Sequence, residues 1–513
     1  MDEWQKKAAF EVPDGPQRIK GLAGSGKTIV LALKAAYLHT QYPELKIGVT
    51  YYTRALYQQY VNLITDFVQD MSGEKVDWDN LDIIHAWGSN SEHGVYSDMA
   101  QKANFKAYNL TSAISKFGRT SAFKGCCDEL LTVIGEDYEP EYDVMLIDEA
   151  QDLPSSFFRL VYANVKSPKR IIWAYDELQN LSTVEMPSLE EMFGVDGDGN
   201  LRINIENKEN EPKRDITLPV CYRNPPWTLA LAHALGFGIY HSPIIQMFEE
   251  PLMWEDIGYT VKSGKLKKNN TVTLSRKNVS TPKYFEELLN KDDSVKVESF
   301  STIEQQYSWI AQEIRKNIEH DELDPDDILI VLPNTYSAKS EYKELEKFLK
   351  ANGINSILAG VDTDRDTFRV NGCVTCAHVY RAKGNEAPMV YIANAEYCAD
   401  GMELIKLRNI LFTSITRSRA WVRVCGVGEK MQQIQKEYNQ CVTNDYDLHF
   451  RIPTDEELKK ARRLNRERTS TEKRLLETTK DNINELIDNI EKGTVDSELL
   501  PELNKLMKLL KRG

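Results

Sequence analysis

Residues 16–33, PQRIKGLAGSGKTIVLAL, decide the fold. A short strand-like run, Gln17 to Lys20, leads into Gly21-Leu22-Ala23-Gly24-Ser25-Gly26-Lys27-Thr28, and an apolar helical run follows. Strand, glycine-rich turn and helix in that order make a phosphate cradle. The glycines let the backbone curl until its N–H groups and the helix N-terminus face an anion. Gly21, Ala23, Gly24, Ser25 and Gly26 are the expected cradle. Lys27 is the expected cation for the β- and γ-phosphates, and Thr28 the expected hydroxyl ligand of Mg2+. The pattern implies ATP and Mg2+.

Residues 142–152, YDVMLIDEAQD, supply the other half of such a site. An apolar run rises into paired carboxylates, as at the end of a buried parallel strand. Asp148 is placed to hold the Mg2+ shell, and Glu149 to polarise the attacking water. By itself the segment also reads as an acidic strand end on any surface. A glycine cradle in the same chain favours the catalytic reading.

At 513 residues the chain is too long for one core. A 41% hydrophobic and 28% charged composition suits a soluble globular protein. No apolar run approaches the roughly 20 residues of a membrane span. The N-terminal MDEWQKKAAF lacks the apolar core of a signal peptide, so a cytoplasmic location without a membrane partner is expected. A net charge of −14 excludes a protein that coats nucleic acid through bulk positive charge. It allows one that grips a strand in a local groove through few, salt-sensitive phosphate contacts. Eight cysteines are no disulfide framework at this length. Cys126-Cys127 are adjacent, and Cys373 with Cys376 fits only half of a zinc site, so buried thiols are expected.

The DEAQD of residues 148–152 resembles motif II of the UvrD/Rep-like superfamily 1 helicases, and further segments follow in that family's order. Gln5, 22 residues before Lys27, stands where the family's Q motif reads the adenine. VTYYTRAL (49–56) resembles motif Ia, and IHAW (84–87) the next strand-contacting segment. DELQ (176–179) resembles motif III, whose glutamine, here Gln179, senses the γ-phosphate. YRN (222–224) is similar to motif IV, TCAHVYRAKGNE (375–386) to motif V and TRSRA (416–420) to motif VI. The resemblance covers about residues 1–428.

The resemblance implies an α/β fold of two RecA-like P-loop NTPase domains, parallel sheets flanked by helices, with ATP in the cleft between them. Arg223 and Arg417 would be the cations that close on the transferring phosphoryl group, with Arg419 the alternative to Arg417. Tyr222 would lie against the adenine and Glu386 on the ribose. Thr53, Arg54, His85, Trp87, Thr375 and His378 would touch single-stranded nucleic acid, DNA ahead of RNA. Trp87 reads equally as core, and His378 also as a satisfied buried histidine. The function implied is that of an ATP-dependent single-strand translocase or helicase, moving 3′ to 5′. A rival reading is an ATP-gated nucleic-acid sensor that recruits an effector such as a nuclease, as in anti-phage defence.

Strand-like runs alternate with helical ones over residues 1–215 (IGVTYY, LDIIHAW, DVMLID, RIIWAY), with a small helical insert at about 89–138. A second set, 216–453, begins near Thr217 and includes DILIVLP, CVTCAHV, MVYIANA and WVRVCGV. Residues 196–214 read as a loop or small hairpin, and Lys265-Leu266-Lys267-Lys268 as a solvated turn. Residues 454–513 form a charged helical extension. Its apolar positions, Leu476, Ile483, Leu486, Ile487 and Ile490, then Leu503, Leu506 and Leu510, recur at helical spacing and suggest a hairpin. The hairpin is expected to pack on the motor or to dock a protein partner or a second copy. There are departures from the family. The stacking aromatic expected after motif III is missing from 180–187, and Ile29 stands where arginine is common. Only about a dozen residues lie between Gly360 and Cys373, where the family carries its second large insertion. That shortness bears on duplex opening more than on hydrolysis or translocation.

Overall fold

The computed structural model describes residues 1–53, 56–89, 92–119, 121–135, 137–176, 187–248, 251–276, 280–363, 367–401 and 403–459. Arg54, Gln179 and the expected tail hairpin lie outside the described residues.

Six strands form the first sheet: β1 (Gln17–Gly21), β2 (Ile47–Tyr51), β3 (Leu81–His85), β4 (Tyr142–Ile147), β5 (Val165–Tyr175) and β6 (Asp215–Leu218). Their order is β3-β2-β4-β5-β1-β6, and every pairing is parallel. β2 is buried along its whole length and β4 along nearly all of it, because helices cover both faces. One face carries α1 (Glu3–Phe10), α2 (Lys27–Gln41) and α3 (Tyr57–Ser72), with Val30, Leu31, Tyr60, Ile64 and Val68 in a common core. The other face carries α4 (Val95–Lys102), α5 (Leu110–Phe117) and α6 (Ala122–Val133), the helices of the expected insert.

The second sheet comprises β9 (Val295–Phe300), β10 (Ile328–Leu332), β11 (Ser356–Leu358), β12 (Val374–His378), β13 (Ala387–Ile392) and β14 (Ser418–Val427). It is again fully parallel, in the order β11-β12-β10-β13-β14-β9. Between the two sheets in the chain, β7 (Thr260–Gly264) and β8 (Thr271–Ser275) form a hairpin, which β15 (Leu448–Arg451) extends as a third antiparallel strand. Lys265 to Lys268 make the hairpin turn, and Lys268 pairs with Asp455 at 2.5 Å. Both large sheets belong to one compact unit, Met1–Asn465.

The alternation beginning near Thr217 does not open the second sheet. β6 pairs with β1, Lys20 against Thr217 and Gly21 against Leu218, so it closes the first. Its outer edge is covered. The Asn207 side chain accepts from the N–H of Arg214 (2.8 Å) and of Asp215 (3.1 Å) and donates to the Asp215 carbonyl (2.8 Å), as a neighbouring strand would. Among the described residues no helix is long and apolar enough to cross a membrane. Seven of the eight cysteines are buried, and Cys373 is partly exposed.

Candidate active site

The loop after β1 curls through two left-handed glycines, Gly24 (φ +71°) and Gly26 (φ +84°), before α2 begins at Lys27. Both glycines have a second reason to lack a side chain. A Cβ on Gly24 would lie 2.3 Å from the Cβ of Arg223, and one on Gly26 would lie 2.8 Å from the Gln5 amide. Gln5 caps α1 together with Asp2 and donates from Nε2 to the Ser25 carbonyl at 3.0 Å, so the N-terminal helix is tied to the loop. The Lys27 ammonium donates to the carbonyls of Gly21 and Leu22, both at 2.9 Å. The buried Ser25 hydroxyl has no hydrogen-bond partner among the described residues.

The acidic half follows β4. Thr28 Oγ1 donates to Asp148 Oδ2 at 2.7 Å, which brings the hydroxyl of α2 and the carboxylate of β4 together as hard oxygen donors. The Tyr60 hydroxyl donates to the same oxygen at 2.7 Å, and the Glu149 N–H to Asp148 Oδ1 at 2.8 Å. Burial and the neighbouring Glu149 charge push the Asp148 carboxyl up. Glu149 holds a left-handed backbone (φ +49°), an uncommon conformation for a side-chain-bearing residue. The Gln151 amide donates to its carboxylate. Burial alone would raise the Glu149 carboxyl, but Lys383 first, then Lys27 and Arg417, hold it down at about 2.

Lys383 comes from the second half of the chain, just beyond β12. Its side chain is 3% exposed and pairs with Asp152 at 2.6 Å and Glu149 at 3.4 Å. From the same side, the Tyr222 N–H donates to the Gly24 carbonyl at 2.9 Å, and the Tyr222 hydroxyl donates to Asp2 at 2.8 Å. Arg223 is ion-paired with Glu386. Burial would raise the Glu386 carboxyl, but Arg223 foremost, then Arg419 and Arg417, keep it below the usual range. Arg417 is 1% exposed and donates from Nε to the Thr413 carbonyl at 3.0 Å. Burial and the nearby Arg223 guanidinium both disfavour its charge. The Arg419 side chain is 60% exposed and lies 3.8 Å from Glu386.

Loop, hydroxyl and carboxylate fit a metal–nucleotide ligand. Ser25 offers an unused buried hydroxyl, Lys27 holds only backbone carbonyls, and Thr28 with Asp148 matches the one or two protein ligands Mg2+ takes beside phosphate oxygens. Sequence reasoning missed Lys383 and Tyr60. Lys383 is the one lysine of the TCAHVYRAKGNE segment, whereas Tyr60 lies in an amphipathic helix outside every quoted segment.

The strand-contact residues do not form one exposed set. Trp87 is core: its ring stacks on Phe123 at 4.9 Å, its Nε1 donates to the Tyr108 carbonyl at 3.2 Å, and it is 7% exposed. Thr375 is buried in β12, its hydroxyl without a partner among the described residues. Both are buried, Trp87 in the turn after β3 and Thr375 within β12. His85 lies at the end of β3, with Nε2 2.7 Å from the Tyr52 carbonyl and Nδ1 accepting from the Trp87 N–H at 3.1 Å. His378 caps a short helix (Val379–Ala382) by accepting from the Arg381 N–H at 3.3 Å. Thr53 is partly exposed in the loop after β2. A groove of about 910 Å3 beside His85 is lined by Tyr51, Tyr57 and Trp78, but also by Asp82, Glu92 and Glu141. With Asp98, four carboxylates line it beside His85 and His93, so the lining is acidic overall.

Fully parallel sheets flanked by helices, one ending in a glycine-rich loop and paired carboxylates, make a mixed α/β fold, consistent with RecA-like domains. Residues 374–425 match the family model of the UvrD-like helicase C-terminal domain. The segment runs from β12 into β14, and over it the chain resembles the UvrD-like helicases. Among solved structures, the chain is similar to the C-terminal domain of a possible DNA helicase from Lactobacillus plantarum WCFS1. The two are 20% identical, the match covers 29% of this chain and 88% of that one, and the TM-score is 0.22. No curated protein matches the chain.

Proposed function

We propose that the chain hydrolyses ATP between its two parallel sheets and uses the cycle to move along single-stranded nucleic acid. One observation carries the reading: carboxylates from the first sheet and cations from the second share a buried cluster, with Lys383 at 3.4 Å from Glu149 and the Arg417 charge acting on the same carboxyl. A surface ion pair would not bury three such groups.

Lys27 exchanges the Gly21 and Leu22 carbonyls for β- and γ-phosphate oxygens, and the cradle N–H groups hold the rest of the chain of phosphates. Thr28 and Asp148 would hold Mg2+, whose charge would offset that of the phosphate oxygens. Glu149 accepts a proton from the attacking water as the new oxygen–phosphorus bond forms and the bond to the ADP oxygen breaks. Arg223 and Arg417 offset the negative charge on the transferring group from the opposite side. Lys383 and Arg417 adjoin strands of the second sheet, so the approach of the two halves becomes part of catalysis, and that motion would drive stepping.

Steady-state ATPase of the full chain, with and without a single-stranded oligonucleotide, tests the reading; strand-stimulated turnover is expected. Lack of ATP hydrolysis under both conditions would overturn it. The short connection from Leu358 to Val374 favours a second reading, an ATP-gated switch that does not open duplexes. Paired translocation and strand-displacement assays separate the two, because a switch shows stimulated ATPase with neither movement nor displacement.

A further inference from the structure

Tyr60 belongs to none of the motif segments, yet its hydroxyl reaches a functional carboxylate. It sits one turn into α3, fully buried, in the core formed with Ile64 and Val68. Packing alone asks only for a ring there, and phenylalanine would fill the same space. The hydroxyl instead donates to Asp148 Oδ2 at 2.7 Å, across 88 residues of chain. The ring is held from its other side by Tyr51, at 6.2 Å and nearly parallel (13°). A donor on a rigid ring, itself locked by packing, has one place to point.

The carboxylate of Asp148 is thereby held by three donors: Thr28 Oγ1 and the Tyr60 hydroxyl on Oδ2, and the Glu149 N–H on Oδ1. Their roles differ once a cation is bound. Thr28 is itself a ligand and must turn an oxygen lone pair toward the metal, and the Glu149 N–H belongs to the backbone of the catalytic turn. Tyr60 alone comes from outside the loop and the acidic segment, so only its bond can stay fixed while the others adjust. Partners of this kind orient a ligating carboxylate and set the strength with which it binds.

We propose that Tyr60 is a positioning residue that fixes the Asp148 carboxylate for the divalent cation, a role that rests on the ATP–Mg2+ reading of the site. It touches neither nucleotide nor metal. Its loss therefore weakens the cation while leaving the phosphate cradle, Gly21 to Thr28, as it was.

The full-length chain carrying Tyr60→Phe tests this with two binding measurements that need no turnover. Affinity for a fluorescent ADP analogue in EDTA reads the cradle alone, and Mn2+ affinity of the ADP-bound protein, by electron paramagnetic resonance, reads the cation site. Tyr60→Phe is expected to match wild type in the first and to bind Mn2+ about tenfold or more weakly in the second. Tyr60→Met, which keeps apolar burial without the ring, should show the same split if the phenylalanine variant folds poorly. Wild-type Mn2+ affinity in both variants, with ADP still bound, would overturn the role of Tyr60 alone. A wild-type chain that binds no ADP would overturn the ATP reading and this role with it.

Discussion

The two large sheets share a plan and are used from opposite ends. In the first, the functional groups follow the carboxyl ends of strands: the glycine loop after β1 and Asp148-Glu149 after β4. In the second, Glu386 immediately precedes β13 and Arg417 immediately precedes β14, so these groups stand at the amino ends. Parallel α/β sheets ordinarily bind ligands at their carboxyl ends, where loops and helix N-termini converge. On the proposed function, the first sheet would provide a cradle and a base, and the second would provide cations. Both sheets have six parallel strands, in different orders, and that shared plan does not give equal chemistry; the side chains at the ends decide.

The largest test of this division strikes the first sheet. Glu149→Gln should lower kcat by roughly 10²–10⁴-fold while ADP affinity is retained, because a general base acts on the chemical step. Retained turnover would place the base elsewhere. Arg417→Ala, on the second sheet, should lower kcat by roughly 10²–10³-fold with ADP affinity again near wild type, measured in the same two assays. An equal loss of ADP affinity would mean that both sheets bind the ground state, and the contrast between cradle and cations would fail.

A third test is pH. Because Lys383, Lys27 and Arg417 hold Glu149 at about 2 against an ordinary 4.5, its charge favours the folded state in full above about pH 4.5. That contribution, about 3 kcal/mol in order of magnitude, is lost as pH falls toward 2. The stability gap between wild type and Glu149→Gln, read by urea unfolding, should therefore widen from pH 2 to 4.5 and stay level above it. Smallest of all is Arg419→Ala. Its 60% exposed side chain and 3.8 Å distance to Glu386 predict a change of under about 1 kcal/mol in stability and little change in kcat. A loss as large as that of Arg417→Ala would exchange the roles of the two arginines.

Much of this arrangement was legible in the residues. The apolar runs that became β2, β4, β10 and β13 are continuous because both their faces are covered, and such runs mark themselves. β6 was misplaced because its four residues carry the same alternation whichever sheet they join, and pairing with β1 is a contact across about 200 residues. β11 is three residues long and β9 is an edge strand, and neither produces a strong pattern. At the site, the cradle and its acidic partner are local patterns and could be read. The bonds from Lys383 to Asp152 and from Tyr60 to Asp148 join residues 231 and 88 apart, which local spacing does not encode. Trp87 shows the converse limit, since an aromatic at a strand end looks the same whether it faces a base or Phe123.

The Asn207 amide laid along β6 has a consequence for the chain as a material. An open edge of a six-stranded parallel sheet is a template on which any extended segment can crystallise, including the matching edge of another copy. With its N–H and C=O at Asp215 already taken by one side chain, that edge offers an incomplete row of partners to an arriving strand. One asparagine side chain thus does for this edge part of what a seventh strand would do.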